Sequence, residues 1–88
     1  FSHIPGLIVI APSNARDAKG LLKSSIRNPN PVVFLEHELL YKEKTNVPEE
    51  KDFLIPIGKG NLIKEGKDVT IIGFSMSVQR ILNALPSI

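Results

Sequence analysis

Residues 7–36, LIVIAPSNARDAKGLLKSSIRNPNPVVFLE, decide the fold. The stretch opens on Leu7-Ile8-Val9-Ile10-Ala11 and closes on Val32-Val33-Phe34-Leu35-Glu36. Both runs are short, apolar and β-branched at their centres, which suits strands covered on both faces, as in a parallel sheet. Pro12 ends the first run. Ser13 or Asn14 can cap a following helix, and Asp17 lies near its positive end. Ala18, Leu21, Leu22, Ser25 and Ile26 then recur at helical spacing as one apolar face, with Lys19 and Lys23 outside it. Gly20 costs about 1 kcal/mol against alanine inside a helix. It either permits close packing on the sheet or is simply tolerated. Strand, helix, strand in this order is a βαβ unit, expected to have parallel strands and a right-handed crossover.

The junction Asn28-Pro29-Asn30-Pro31 closes the helix and opens the second strand. Proline lacks an N–H and disfavours helical geometry in the residue before it. Two prolines at alternate positions force an extended connection and leave carbonyls that must find water, a donor or a cation. Turn chemistry alone makes loop punctuation the commoner use of such a sequence.

Glu36-His37-Glu38 follows the second strand, at the end of the sheet where open α/β folds collect ligands. Continued strand geometry would turn Glu36 and Glu38 to one side and His37 to the other, which does not favour joint coordination. These read as solvated or hydrogen-bonded loop residues. Residues 42–53 are polar and charged and read as an exposed linker. Beyond them, Gly58–Ile63 and Val69–Phe74 are expected to be two strands joined by a turn at Lys64–Asp68. Ser75 is the expected N-cap of a helix whose apolar stripe is Val78, Ile81, Leu82 and Leu85. Gly58-Lys59-Gly60 lacks the spacing of a phosphate loop and precedes a strand pattern instead of a helix.

The 88 residues are enough for one small domain at most. With 42% hydrophobic and 23% charged residues, the composition is ordinary for a globular protein. The net charge of +2 is interspersed, without the one-sided Lys/Arg cluster that nucleic acid would require. No apolar run approaches the length of a membrane span. The absence of cysteine excludes disulfides and thiolate zinc sites. The chain starts at Phe1 without a signal-peptide pattern and breaks off after Leu85-Pro86-Ser87-Ile88, which reads as an internal piece of a longer protein. A processed mature chain is the alternative.

The chain resembles the beta subunits of the thiamine-dependent 2-oxo acid dehydrogenases, and the pyruvate dehydrogenase branch above all. The resemblance rests on His3-Ile4-Pro5-Gly6-Leu7, Asp17-Ala18-Lys19-Gly20-Leu21-Leu22-Lys23, Ile26-Arg27 with Asn30-Pro31-Val32-Val33, and Leu35-Glu36 with Glu38-Leu39-Leu40-Tyr41. It continues through Ile55-Pro56-Ile57-Gly58-Lys59 and Glu65-Gly66-Lys67-Asp68-Val69-Thr70. It implies an α/β fold: residues 1–41 as the C-terminal part of a pyrimidine-binding domain, 42–53 as a linker, and 54–88 as the start of a transketolase-type C-terminal domain. The branched-chain 2-oxo acid and acetoin dehydrogenases share the superfamily. A non-catalytic α/β interaction module is the alternative of a different class.

The resemblance also implies a chemistry. The beta subunit grips the aminopyrimidine end of thiamine diphosphate, while the alpha subunit holds the diphosphate and its magnesium. The cofactor is the electron sink for decarboxylation of the 2-oxo acid, and the acyl group passes to a lipoyl arm. The positions matching the family's activating glutamate and active-site histidine lie before Phe1, so no catalytic or thiamine-contacting residue is assigned here. His3 does not take that histidine's role. One family site falls within the chain: potassium held largely by backbone carbonyls of the helix-to-strand junction, at Ser25, Ile26, Asn28 and Asn30. Asn28 stands where aspartate is common, which removes a formal charge but leaves an amide oxygen. The implied partners are the alpha subunit, a second beta subunit and the dihydrolipoyl acetyltransferase core, with no nucleic acid or membrane. The implied location is the mitochondrial matrix or the bacterial cytoplasm.

Overall fold

The two apolar runs of the first half pair with each other. In a computed structural model describing all 88 residues, β1 (Ile8–Ile10) lies parallel to β2 (Val32–Phe34), with Ile8 opposite Val32 and Ile10 opposite Phe34. Helix α1 (Ala15–Arg27) makes the crossover, so the expected βαβ unit forms. The ladder is bracketed by Ile8 N–H donating to the Pro31 carbonyl at 3.2 Å and Leu35 N–H donating to the Ile10 carbonyl at 2.8 Å.

Helix α1 starts where its capping chemistry says it should. Asn14 is extended, and its Oδ1 accepts from the Asp17 N–H at 2.8 Å. That bond satisfies one of the donors every helix start leaves free. Asn14 Nδ2 also reaches Asp17 Oδ2 at 3.3 Å, so the cap and the first-turn acid hold each other.

The packing of α1 differs from its apolar periodicity. Leu22 is 43% exposed and Ile26 75%, although both belong to the expected buried stripe. Gly20 is buried instead, and what it meets is residues 53–55, not the sheet. A Cβ at Gly20 would lie 2.5 Å from Ile55 Cγ1 and 3.0 Å from Phe53 Cε2. Glycine at this position is therefore a condition of close approach.

The second half keeps its helix but not its strands. Helix α2 (Met76–Ala84) follows Ser75 as expected and runs into a 3₁₀ turn, Leu85–Ser87. The Ser75 hydroxyl makes no cap. Ser77 Oγ accepts from the Phe74 N–H at 2.9 Å instead, while Ser75 sits at φ 51°, ψ −136°. That conformation is costly for a residue with a Cβ, and the Ser75 N–H is tied to the Ala11 carbonyl at 3.1 Å. Residues 58–63 and 69–74 form no ladder with each other or with β1 and β2. An apolar extended run becomes a strand only when a neighbour takes its N–H and C=O groups. Here Leu62, Val69 and Ile72 remain exposed, Ile72 at 89%. They and the α2 stripe surround an open cavity of about 650 Å³.

The core is correspondingly thin. Ile10 is the one buried apolar side chain of any size, and the other strand residues are half-buried. The accessible surface is 7193 Å², where a closed chain of this mass would expose roughly 5,100 Å². The radius of gyration is 14.1 Å, against about 12 Å for a compact domain of this length. Two bonds dock the second half on the carboxyl end of β1: the Ser75–Ala11 bond and Gln79 Nε2 donating to the Ser13 carbonyl at 2.9 Å.

The capping geometry predicts that Asn14→Ala lowers the local stability of the first turn of α1 by about 1 kcal/mol. Hydrogen exchange of that turn in the full-length protein measures it, and Asn14→Ser should lose only a few tenths.

Candidate cation site at the helix-to-strand junction

The chain leaves helix α1 abruptly. Asn28, at φ −82° and ψ 134°, is already extended, and its N–H donates back to the Ser25 carbonyl at 3.2 Å. Its side chain then shapes the next step, because Asn28 Oδ1 accepts from the Asn30 N–H at 2.9 Å. This local ring is the turn that asparagine favours. Ser25 spends its hydroxyl on the Leu21 carbonyl at 2.7 Å, so only its main chain faces the junction chemistry.

The carbonyls that follow lose their donors one by one. A continuing helix would offer Ile26 the N–H of residue 29 or 30. Pro29 has none, and the Asn30 N–H is committed to Asn28 Oδ1. Arg27 would look to residue 30 or 31, and Pro31 has none. Ile26 and Arg27 thus present carbonyls without a main-chain donor, at the negative end of a helix dipole. The four expected residues Ser25, Ile26, Asn28 and Asn30 lie within this one turn. Their donors are carbonyl and amide oxygens, a hard set suited to alkali or alkaline-earth ions, not to zinc. No group of three or more His, Asp or Glu side chains is assembled anywhere in the chain.

Glu36-His37-Glu38 is resolved into local structure. The strand ends at Phe34, so alternation of faces does not extend to these residues. His37 Nδ1 accepts from the Leu39 N–H at 3.2 Å and caps a 3₁₀ turn, Glu38–Leu40. The Tyr41 hydroxyl donates to Glu36 Oε2 at 2.9 Å. The hydrogen bond to the Glu36 carboxylate raises the Tyr41 pKa above its ordinary value, and the charges of Glu36 and Glu38 add to the effect.

One set of interacting residues lies outside the sequence expectations. Lys19 and Lys23 point neither at the junction nor at solvent alone: their ammonium groups reach the carbonyls of Pro48 and Lys51. The charged run 42–53 keeps most of its side chains exposed, as expected of a linker, but its backbone is tied to α1. No sequence motif marks this contact, because its acceptors are main-chain oxygens.

Residues 1–44 match the transketolase pyrimidine-binding domain. The chain is 50% identical over 84 residues to the pyruvate dehydrogenase E1 component subunit beta of Rhizobium meliloti, covering 96% of this chain and 18% of the relative. It is 51% identical over 87 residues to the mitochondrial subunit beta of Dictyostelium discoideum, and 53% identical over 87 residues to subunit beta-1 of Arabidopsis thaliana. Each of those two alignments covers 96% of this chain and 24% of the relative. The chain therefore spans about a fifth to a quarter of the length of these curated relatives.

The Tyr41–Glu36 bond predicts a specific titration. A raised folded pKa favours the neutral phenol, so the stabilisation is present below the unfolded pKa and is lost as pH rises through the folded one. Tyr41 is the one tyrosine of the chain. Its tyrosinate absorbance should appear at higher pH than in free tyrosine, and Glu36→Gln should move the midpoint back down. An unchanged midpoint in that variant would show the bond to be unpopulated.

Proposed function

The chain belongs to the transketolase pyrimidine-binding domain family, and on that premise we propose that it is part of the beta subunit of a thiamine-dependent pyruvate dehydrogenase. The observation that carries this reading is identity near one half, over 96% of the chain, to pyruvate dehydrogenase beta subunits of a bacterium, an amoeba and a plant. The proposed domain order is 1–41 for the end of the pyrimidine-binding domain, 42–53 for a linker, and 54–88 for the start of the C-terminal domain. The family match ending at residue 44 supports the first boundary.

In the whole enzyme, thiamine diphosphate would supply the electron sink for decarboxylation of pyruvate. The groups that touch the cofactor are proposed to lie in other parts of the subunit, not in these 88 residues. Their contribution is architectural: the βαβ unit fixes one edge of the domain that receives the aminopyrimidine. The proposed partners are the alpha subunit, which would carry the diphosphate and magnesium, a second beta subunit in a heterotetramer, and the dihydrolipoyl acetyltransferase core. The Dictyostelium and Arabidopsis relatives are named as mitochondrial and the Rhizobium relative is not, which supports the mitochondrial matrix or the bacterial cytoplasm.

The junction of Ser25, Ile26, Asn28 and Asn30 is the proposed potassium site. Its support here is the oxygen-only donor set and the carbonyl of Ile26 without a main-chain donor. A bound cation would brace the junction, and through it the start of β2, without touching the reacting atoms.

Two measurements test these readings separately. The full-length subunit, assembled with its alpha partner, should decarboxylate pyruvate and reductively acetylate a lipoyl acceptor. Preference for branched-chain 2-oxo acids or acetoin would move the protein to a sister subunit, and no turnover with any of them would favour the interaction module. Independently, potassium chloride should raise the melting temperature of the assembled enzyme more than sodium chloride at equal ionic strength. Asn28→Asp should enlarge that difference, and identical melting in the two salts would remove the site.

A further inference from the structure

Residues 47–55 follow the polar side of α1 as a strap. Lys19 Nζ donates to the Pro48 carbonyl and Lys23 Nζ to the Lys51 carbonyl. Ser24 Oγ donates to the Ile55 carbonyl at 2.6 Å, and the Ile55 N–H donates to the Gly20 carbonyl at 3.3 Å. Both main-chain groups of Ile55 are thus satisfied by the helix. The Arg16 guanidinium lies 5.1 Å from the centre of the Phe53 ring, within range of cation–π attraction.

The helix residues involved are Arg16, Lys19, Gly20, Lys23 and Ser24. They repeat at i, i+3, i+4, i+7 and i+8, which is one continuous face of an α-helix. This face is distinct from the apolar stripe that contains Leu22 and Ile26. It reads main chain more than side chain, because its acceptors are the carbonyls of residues 48, 51 and 55. Gly20 sets the depth of the contact, since any side chain there would strike Ile55 and Phe53.

We propose that this face of α1 is a dedicated docking stripe for the segment 47–55, a charge-dependent strap that holds the two halves of the chain in fixed relation. Its latch is the pair of ammonium groups on Lys19 and Lys23, and its seat is the notch at Gly20. Docking the strap places Ile55 against the helix and starts the second half from a defined point. The Ser75–Ala11 and Gln79–Ser13 bonds then fix the far end of that half. Release of the latch frees residues 47–55 while leaving the helix intact. The proposal is independent of which 2-oxo acid the enzyme uses.

Hydrogen exchange of the full-length protein in its assembled form tests it, read by mass spectrometry on peptides covering 47–57 and 15–27. The double variant Lys19→Met/Lys23→Met should speed exchange of the hydrogen-bonded strap amides, Phe53 and Ile55, by at least about tenfold, the scale of one lost charge-assisted hydrogen bond where two are removed. The helix peptide should stay unchanged, and Lys19→Arg/Lys23→Arg should keep the strap protected. Gly20→Ala separates the strap from the helix by sign. Alanine favours helix, so α1 should hold or tighten while the strap loosens. Strap exchange that both Lys19→Met/Lys23→Met and Gly20→Ala leave unchanged overturns the proposal. So do Phe53 and Ile55 amides that already exchange at the unstructured rate in the unsubstituted protein.

Discussion

The parallel pairing of Ile8–Ile10 with Val32–Phe34 is the constraint from which the rest of the chain follows. Parallel strands cannot be joined by a tight turn, so the intervening residues must return the chain to the same end of the sheet. Helix α1 does this with 13 residues, about 20 Å of rise. It must then unwind within four residues to reach the Ile8–Val32 register. Pro31 suits the entry because the ladder asks only for its carbonyl, which accepts from Ile8. The same abrupt exit leaves Ile26 and Arg27 without main-chain donors. The candidate cation site is thus a consequence of the strand register, since a helix allowed to fray gradually would have consumed those carbonyls.

Gly20 shows a second consequence of the crossover. A glycine in mid-helix costs about 1 kcal/mol against alanine, and in an exposed helix that cost would have no return. Here it allows Ile55 to bond the helix with both its N–H and its C=O. Without that seat, the polar run before Phe53 would offer no apolar surface for attachment. The exposure of Leu22 and Ile26 has the same logic in reverse. The apolar stripe of α1 is covered only in part: Ala18, Leu21 and Ser25 are half-buried, while Leu22 and Ile26 stay exposed.

What was legible in the sequence is what is locally determined. The helix start, with Ser13 or Asn14 as its cap, the first-turn Asp17, the βαβ order and the α2 stripe each depend on residues within a turn or two of one another, and the structure selects Asn14. The strap was not legible, because Pro48, Lys51 and Ile55 are recognised by their carbonyls, and a carbonyl carries no residue identity. Its donors, Lys19 and Lys23, look in sequence like any solvent-facing lysines. The strands expected at 58–63 and 69–74 fail for a related reason. Apolar and β-branched residues state what a segment can do, whereas pairing also needs a neighbour in register, and neither segment finds one. Ser75 holds the N-cap position, but its hydroxyl makes no cap: its backbone is turned to bond Ala11, and Ser77 Oγ binds the Phe74 N–H ahead of the helix.

Geometry and charge make separate demands on the residue at position 28. Asn28 Oδ1 accepts the Asn30 N–H, and an aspartate could make that same bond with one of its oxygens. Loop shape is therefore preserved whichever residue stands there. What differs is a unit of negative charge beside a helix end that is already negative. An aspartate would add attraction for a cation but also destabilise the empty turn through the helix dipole. Asparagine relaxes both effects at once. A junction with Asn28 is thus less dependent on an ion for its stability, and any ion it holds is selected mainly by how carbonyl oxygens replace its water.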